Sequence, residues 1–172
     1  MRGQVDDKIL AQLRGRMVFE YSVLAFEDLN EITSYLVVYS DNEQRYHLQH
    51  RIDQITNKTV HWVEGGEQRQ DSVFNALEAT PVDTDFVMIH DCARPLIGSE
   101  ALRDVYEVMV KDNTAVLAHR VVDTIKEVDN ESGELRQAVL KNLDRRHLWA
   151  METPQAFSWK LILDSYRTLK QK

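Results

Sequence analysis

Over residues 35–119, short apolar runs rich in β-forming residues alternate with longer segments of helical periodicity, and this alternation restricts the possible folds more than any other feature. Strands are expected at 35–39, 59–63, 86–90 and 114–119, and helices at 18–29, 43–55, 71–79, 99–111 and 159–170. The run Phe-Val-Met-Ile at 86–89 has the character of a strand buried on both faces. Ser99 is the expected cap of the fourth helix. Strands separated by helices of this length form βαβ units, so the expectation is an α/β domain with a mostly parallel, Rossmann-like sheet and helices on both faces. The rhythm breaks after Arg120. Residues 124–128 and 135–140 alternate about Asp129-Asn130-Glu131-Ser132-Gly133, a hairpin signal that predicts an antiparallel arm over about 121–146. The chain then returns through 149–151 and 153–155 to a last helix.

With 172 residues, a single domain over 1–172 is expected. A balance of 28 acidic against 21 basic residues, net −7, argues against a general nucleic-acid binder, which needs many phosphate-neutralising cations. Any phosphate ligand must be held locally. No apolar run approaches the roughly 20 residues of a membrane helix, and the first thirty residues lack a secretory apolar core, so neither membrane nor export is expected. The one cysteine, Cys92, excludes an internal disulfide or a cysteine zinc site and points to the cytoplasm.

In open parallel sheets, ligands bind beyond the carboxyl ends of the strands. Two segments lie there. In Glu64-Gly65-Gly66-Glu67-Gln68-Arg69-Gln70-Asp71-Ser72-Val73, paired glycines allow close backbone approach and a helix N-terminus follows, which suits either an anionic ligand or a plain strand-to-helix turn with Ser72 near the cap. In His90-Asp91-Cys92-Ala93-Arg94-Pro95, a carboxylate and a guanidinium share a strand exit. Asp91 there is either a ligand for Mg²⁺ carrying phosphates or half of an Asp91–Arg94 ion pair. His90 reads as a packed or hydrogen-bonded histidine. At the two roots of the arm, Val122-Asp123-Thr124-Ile125-Lys126 and Leu143-Asp144-Arg145-Arg146 could bring Thr124 and Arg145 onto one anionic group, or simply solvate the arm.

The ordered set Gly-Gly-x-x-Arg-x-x-Ser-Val, His-Asp-x-Ala-Arg-Pro, Asp-Thr-Ile-Lys, Asp-Arg-x-x-Leu-Trp and Thr-Pro-Gln-x-Phe resembles the 2-C-methyl-D-erythritol 4-phosphate cytidylyltransferase family. Lys8 followed by Leu13-Arg14-Gly15-Arg16-Met17-Val18 is similar to the family's early lysine segment, with Met17 replacing a proline. The resemblance implies a nucleotidyltransferase sheet with a protruding hairpin arm. It also implies transfer of CMP from CTP to a polyol phosphate, with release of pyrophosphate and Mg²⁺ as cofactor. Carried over by motif, Lys8, Asp91 and Arg94 are catalytic. Gly65, Gly66, Glu67, Arg69, Ser72 and Asp91 bind CTP, and Asp91 is the metal ligand. Arg94, Asp123, Thr124, Arg145 and Thr153 line the polyol-phosphate pocket. A homodimer embracing through the arm is implied as well.

The departures carry expectations of their own. The family's opening strand and its Gly-x-Gly-x-Arg-Met phosphate loop are not matched here, nor is a downstream Asn-Ile-Lys lysine, so the chain is expected to be truncated at both ends. Two alternatives follow: a ribitol-5-phosphate cytidylyltransferase, or a non-catalytic remnant that dimerises or binds nucleotide.

Overall fold

The computed structural model describes residues 7–128 and 138–170. Its first elements are two short strands, β1 (Gln12–Leu13) and β2 (Arg16–Met17), paired antiparallel across Arg14 and Gly15. Both turn residues have positive φ, 49° and 85°, as a two-residue hairpin with right-handed twist requires. Helix α1 (Val18–Glu27) follows, with Phe19, Val23 and Phe26 buried at helical spacing. It ends two residues short of the expected boundary, where Asp28 takes the C-cap.

The chain then alternates as the periodicity predicts. It runs through β3 (Ser34–Tyr39), α2 (Asn42–Ile52), β4 (Thr59–Glu64), α3 (Arg69–Ala79), β5 (Phe86–Ile89), α4 (Ser99–Asp112) and β6 (Thr114–Arg120). Asp41 caps α2 by accepting the Gln44 N–H at 2.8 Å, so the helix starts one residue before the expected start. At α3 the cap is a reciprocal box of Gln68 and Asp71, which makes Arg69 the first helical residue and leaves Ser72 outside the capping set. The expected capping role of Ser99 fails for a related reason. Gly98 is the N-cap of α4, Ser99 is already inside the helix, and no side chain caps it. Asn113, left-handed at φ 64°, closes the other end by donating its N–H to Met109 O at 2.7 Å.

Strands β3 and β4 pair in parallel, Tyr35 against Val60 and Val37 against Trp62. The next sheet departs from the mostly parallel expectation, since both of its ladders are antiparallel. Residues Trp149–Ser158 form one ten-residue strand, β9, which inserts antiparallel between β5 and β6. Since β5 and β6 both oppose β9, they run parallel to each other, and α4 makes the crossover that the periodicity implies. Their separation by a third strand is what sequence periodicity misses, because β9 arrives from about 30 residues further along. The arm is present at its base as β7 (Lys126–Val128) against β8 (Leu140–Asn142). Its second strand overlaps the expected 135–140 at Leu140 and continues to Asn142, and Glu127 faces Lys141 across the pair at 2.9 Å, a charge pairing that suits this register. Residues 129–137, with the rest of the expected hairpin, lie outside the described residues.

Helices cover both faces. Phe19 and Val23 of α1 and Leu48 and Ile52 of α2 pack with Tyr35, Val37, Val60 and Trp62 on one side of β3–β4. On the same side, α4 lays Val105 and Met109 over Phe86, Met88, Ala115 and Ala156. The opposite layer is α3 against α5 (Trp159–Lys170), joined by the Phe74–Tyr166 stack and by Trp159 Nε1–H donating to Leu77 O at 3.1 Å. Each fully buried Leu or Ile in these layers contributes roughly 1.5–3 kcal/mol. Among the described residues no helix is long and apolar enough to cross a membrane.

Candidate functional site

The carboxyl ends of β4 and β5 meet at one corner. Beyond β4, Gly65 donates its N–H to Tyr39 O at 2.8 Å, and Gly66 donates to Ser72 Oγ at 3.0 Å. The loop is closed so tightly onto α3 that a Cβ on Gly66 would stand 2.3 Å from Asp71 Cβ. Only glycine fits there. Gly65, Gly66 and Ser72, together with Ser40 and Gln44, border a cleft of about 300 Å³. Glu67 projects from the same loop into solvent.

Beyond β5, the Asp91 carboxylate is held between two guanidiniums. Arg69 donates to Oδ1 from Nε at 3.1 Å and from Nη2 at 2.9 Å, while Arg94 Nε lies 3.7 Å from Oδ2. Two cations and one anion leave the corner locally positive, which is how an acidic chain can hold a phosphate.

The loop that carries Asp91 and Arg94 is fastened from inside. Asp91 N–H donates to Thr153 Oγ1 at 3.2 Å, and that hydroxyl lies 3.0 Å from His90 Nδ1. With the hydroxyl hydrogen directed at Nδ1, the ring proton sits on Nε2 and points at Arg94 O, 3.2 Å away. His90 packs against Phe26, and burial pushes its pKa below the usual imidazole value. Thr153 is buried, and its hydroxyl ties the Asp91 loop to His90. Burial, with a smaller contribution from the Asp91 charge, pushes the neighbouring Cys92 thiol up to about 11.

Lys8 lies exposed in a turn, with no ion pair among the described residues. The turn is anchored by Gln44 Nε2–H donating to Asp7 Oδ2 at 2.6 Å, and Gln44 borders the Gly66–Ser72 cleft. A second cluster forms at the arm root. Arg145 donates from Nη1 to Val122 O at 2.6 Å, beside exposed Asp123 and Thr124. Its position follows from β9, which starts at Trp149 paired with Arg120 and runs antiparallel to β5. Four residues of strand, about 13 Å, separate Trp149 from Thr153 along β9.

Two participants escaped the sequence reading. Gln44 was signalled only by Asp41-x-x-Gln44, a capping pattern, with nothing to say that its amide would join the cleft. His90, by contrast, is the packed and hydrogen-bonded histidine that the sequence led us to expect. The His119–Glu152 contact joins β6 to β9 beside Thr153, and 33 residues separate the partners.

The described residues contain no group of three or more His, Cys, Asp or Glu that could hold a metal. Asp91 is the carboxylate held at this corner, so the donor set fits a Mg²⁺ that arrives on phosphates and takes one protein oxygen, not a caged ion.

The family model described as IspD: 2-C-methyl-D-erythritol 4-phosphate cytidylyltransferase matches residues 2–172. A 2-C-methyl-D-erythritol 4-phosphate cytidylyltransferase from Dictyoglomus thermophilum is 31% identical over 168 residues, covering 97% of this chain and 71% of the relative. One from Caldanaerobacter subterraneus is 34% identical over 162 residues, with 94% and 69% covered. Among solved structures, 4-diphosphocytidyl-2C-methyl-D-erythritol synthase from Anaerococcus prevotii shares the fold at a TM-score of 0.82 and 22% identity, over 94% of this chain and 68% of that one. The Thermus thermophilus cytidylyltransferase gives a TM-score of 0.74 at 25% identity, over 95% and 71%. The chain thus spans about seven tenths of the length of these relatives.

Proposed function

The chain belongs to the 2-C-methyl-D-erythritol 4-phosphate cytidylyltransferase family, and from that membership we propose how its own residues carry out the transfer of CMP from CTP to the methylerythritol phosphate. The observation that carries the assignment is the corner where Asp91 lies between Arg69 and Arg94, next to the Gly66–Ser72 cleft. The Gly65–Gly66 backbone and the Ser72 hydroxyl read the edge of the cytosine, with Glu67 shaping the rim. Arg69, Arg94 and the Lys8 ammonium neutralise the triphosphate. Asp91 is the residue that would hold Mg²⁺, which would supply further neutralisation of charge at the phosphoryl groups.

The reaction asks little covalent chemistry of the protein. An oxygen of the acceptor phosphate attacks the α-phosphorus of CTP, a new P–O bond forms, the bond to the β-phosphate breaks, and pyrophosphate leaves with the displaced electron pair. The acceptor phosphate is largely dianionic near pH 7, so no general base is needed. Positioning dominates. Arg145, held at the arm root beside Asp123 and Thr124, grips the acceptor phosphate, and Arg94 orients the acceptor against the nucleotide. Thr153 and His90 keep the Asp91–Arg94 loop in place. The exposed apolar side chains of Val122, Leu140, Trp149 and Met151 around the arm root support a homodimer formed through the arm. With its thiol buried, Cys92 suits the reducing cytoplasm.

The test is turnover of CTP with 2-C-methyl-D-erythritol 4-phosphate and Mg²⁺, read as pyrophosphate release, beside a parallel reaction with ribitol 5-phosphate. Methylerythritol phosphate should be the faster acceptor, and Asp91→Asn should abolish turnover while leaving the melting temperature nearly unchanged, because Asp91 is part-exposed. Faster use of ribitol phosphate would overturn the acceptor assignment, and full activity of Asp91→Asn would remove Asp91 from the centre.

A further inference from the structure

Lys8 owes its place to the residue before it. The Asp7 carboxylate is used at both oxygens. Oδ1 accepts the Ile9 N–H at 3.1 Å, which folds residues 7–9 into an Asx turn with Lys8 at its centre, and Oδ2 accepts Gln44 Nε2–H at 2.6 Å. Past the turn the backbone is fixed to α1, since Phe19 N–H donates to Ile9 O at 3.2 Å and Val18 N–H to Ala11 O at 2.9 Å. Ile9 and Leu10 pack against the core of Phe19, Val23, Leu48 and Ile52. Lys8 is thus held from two sides, by α1 through backbone and packing and by α2 through one carboxylate.

Gln44 is the third residue of α2, and both ends of its carboxamide are committed. Oε1 accepts the Ser40 N–H at 2.7 Å, while Nε2 donates to Asp7. An amide has one acceptor end and one donor end, so turning it over would set NH₂ against the Ser40 N–H and oxygen against the Asp7 carboxylate. The network permits one orientation only. Ser40 follows Tyr39, whose carbonyl accepts the Gly65 N–H at 2.8 Å. Ser40, Gln44, Gly65, Gly66 and Ser72 all border the cleft of about 300 Å³.

A short path therefore joins the nucleobase loop to the lysine. It runs from Gly65 through Tyr39 and Ser40 to the Gln44 carboxamide, and on through the Asp7 carboxylate to Lys8, although Asp7 and Gln44 are 37 residues apart in sequence. The Asp7–Gln44 bond is the link with a full charge on its acceptor, and such bonds are roughly twice as strong as neutral ones. A lysine ammonium rides on a flexible four-carbon stem, so its reach is defined only as well as its backbone is placed. A misplacement of about 1 Å can cost on the order of 10²-fold in rate. Asp7 would itself repel a phosphate, and its engagement by two N–H donors offsets that charge.

We propose that Asp7 and Gln44 are positioning residues for nucleotide transfer: the clamped carboxamide fixes where Lys8 stands relative to the base cleft, so that one CTP molecule meets both in register. This rests on the reading above that Lys8 neutralises the triphosphate, and it adds the pair of side chains that hold the lysine in place. Both act through Lys8, and no covalent step is involved. The effect is selective by phosphate content. A nucleoside without phosphates uses the cleft alone, whereas the triphosphate uses cleft and lysine together.

The experiment measures the dissociation constants of CTP and of cytidine, with Mg²⁺ present, for the full 172-residue chain and three variants. Lys8→Ala should weaken CTP by about tenfold or more and leave cytidine within about twofold. Asp7→Asn sets an amide NH₂ against the Gln44 NH₂, so it should give the same selective loss, about fivefold or more, with Lys8 intact. The paired exchange Asp7→Asn with Gln44→Glu reverses donor and acceptor at unchanged net charge and keeps an acceptor for the Ser40 N–H. It should return CTP affinity to within about threefold of the parent. Equal losses of CTP and cytidine in Asp7→Asn, or a paired exchange that rescues nothing, would reveal a tie that only supports the fold and would overturn the proposal. CTP affinity kept in Asp7→Asn but lost in Lys8→Ala would overturn it too, leaving the role of Lys8 standing. CTP affinity kept in Lys8→Ala, or a parent that binds no CTP, would overturn that role and the proposal with it.

Discussion

Replacing Gly66 by alanine should separate the loop's geometry from its chemistry. The new Cβ would stand 2.3 Å from Asp71 Cβ and 3.1 Å from the Asp71 carbonyl carbon. Ordinary carbon contacts are about 3.5–4.0 Å, so the loop or the first turn of α3 must move by more than about 1 Å. Neither moves freely. Asp71 is half of the capping box of α3, a feature worth about 1 kcal/mol, and Gly66 N–H would leave Ser72 Oγ, losing about 0.5–1.5 kcal/mol. The expected destabilisation is therefore about 2–3 kcal/mol, measured by urea unfolding. The same shift pulls the Gly66 amide from the cleft, so the CTP dissociation constant should rise roughly ten- to hundredfold by calorimetry, at 1.4 kcal/mol per decade. Gly98→Ala, where a Cβ meets nothing within 4 Å, is the control and should leave CTP affinity unchanged. A Gly66→Ala protein that unfolds within about 0.5 kcal/mol of the parent and binds CTP equally well would refute the reasoning.

Three further outcomes are expected. Arg145→Ala should raise the KM for the acceptor phosphate more than that for CTP, and equal effects on both would detach Arg145 from the acceptor pocket. Thr153→Val keeps the side-chain volume but leaves the Asp91 N–H without its acceptor, so it should cost about 1–3 kcal/mol in urea unfolding. Thr153→Ser should restore most of that, and an equally unstable serine variant would show that the methyl group matters instead. His90 has a pKa held below 6.5 by burial, so in acid the unfolded chain takes up a proton that the folded chain resists. Its contribution to stability is complete above about pH 6.5 and declines as pH falls toward the depressed folded value. A His90→Asn protein should therefore lose less stability than the parent between pH 7 and pH 5, and parallel profiles would count against a buried neutral imidazole.

Local order was legible without coordinates wherever one physical rule dominated. Alternating periodicity placed five helices and the core strands, because burial of one stripe or one face is a local requirement. The corner was legible as well. Asp91 and Arg94 follow β5, and Gly65, Gly66 and Ser72 follow β4, and a parallel sheet delivers both loops to one end. What periodicity could not supply was partnership. β9 read as a return segment, since a strand of mixed character announces its length only when neighbours on both sides pair with it.

Residue types and spacings by themselves determined the class of fold, the order of its elements and the chemistry available at their ends. Only tertiary structure decided that Thr153 and His90 fasten the Asp91–Arg94 loop and that Gln44 joins the cleft. The division has one cause. Propensity and periodicity act over a few residues, whereas a hydrogen bond between Asp91 and Thr153 links positions 62 apart, and nothing in either local segment encodes the meeting.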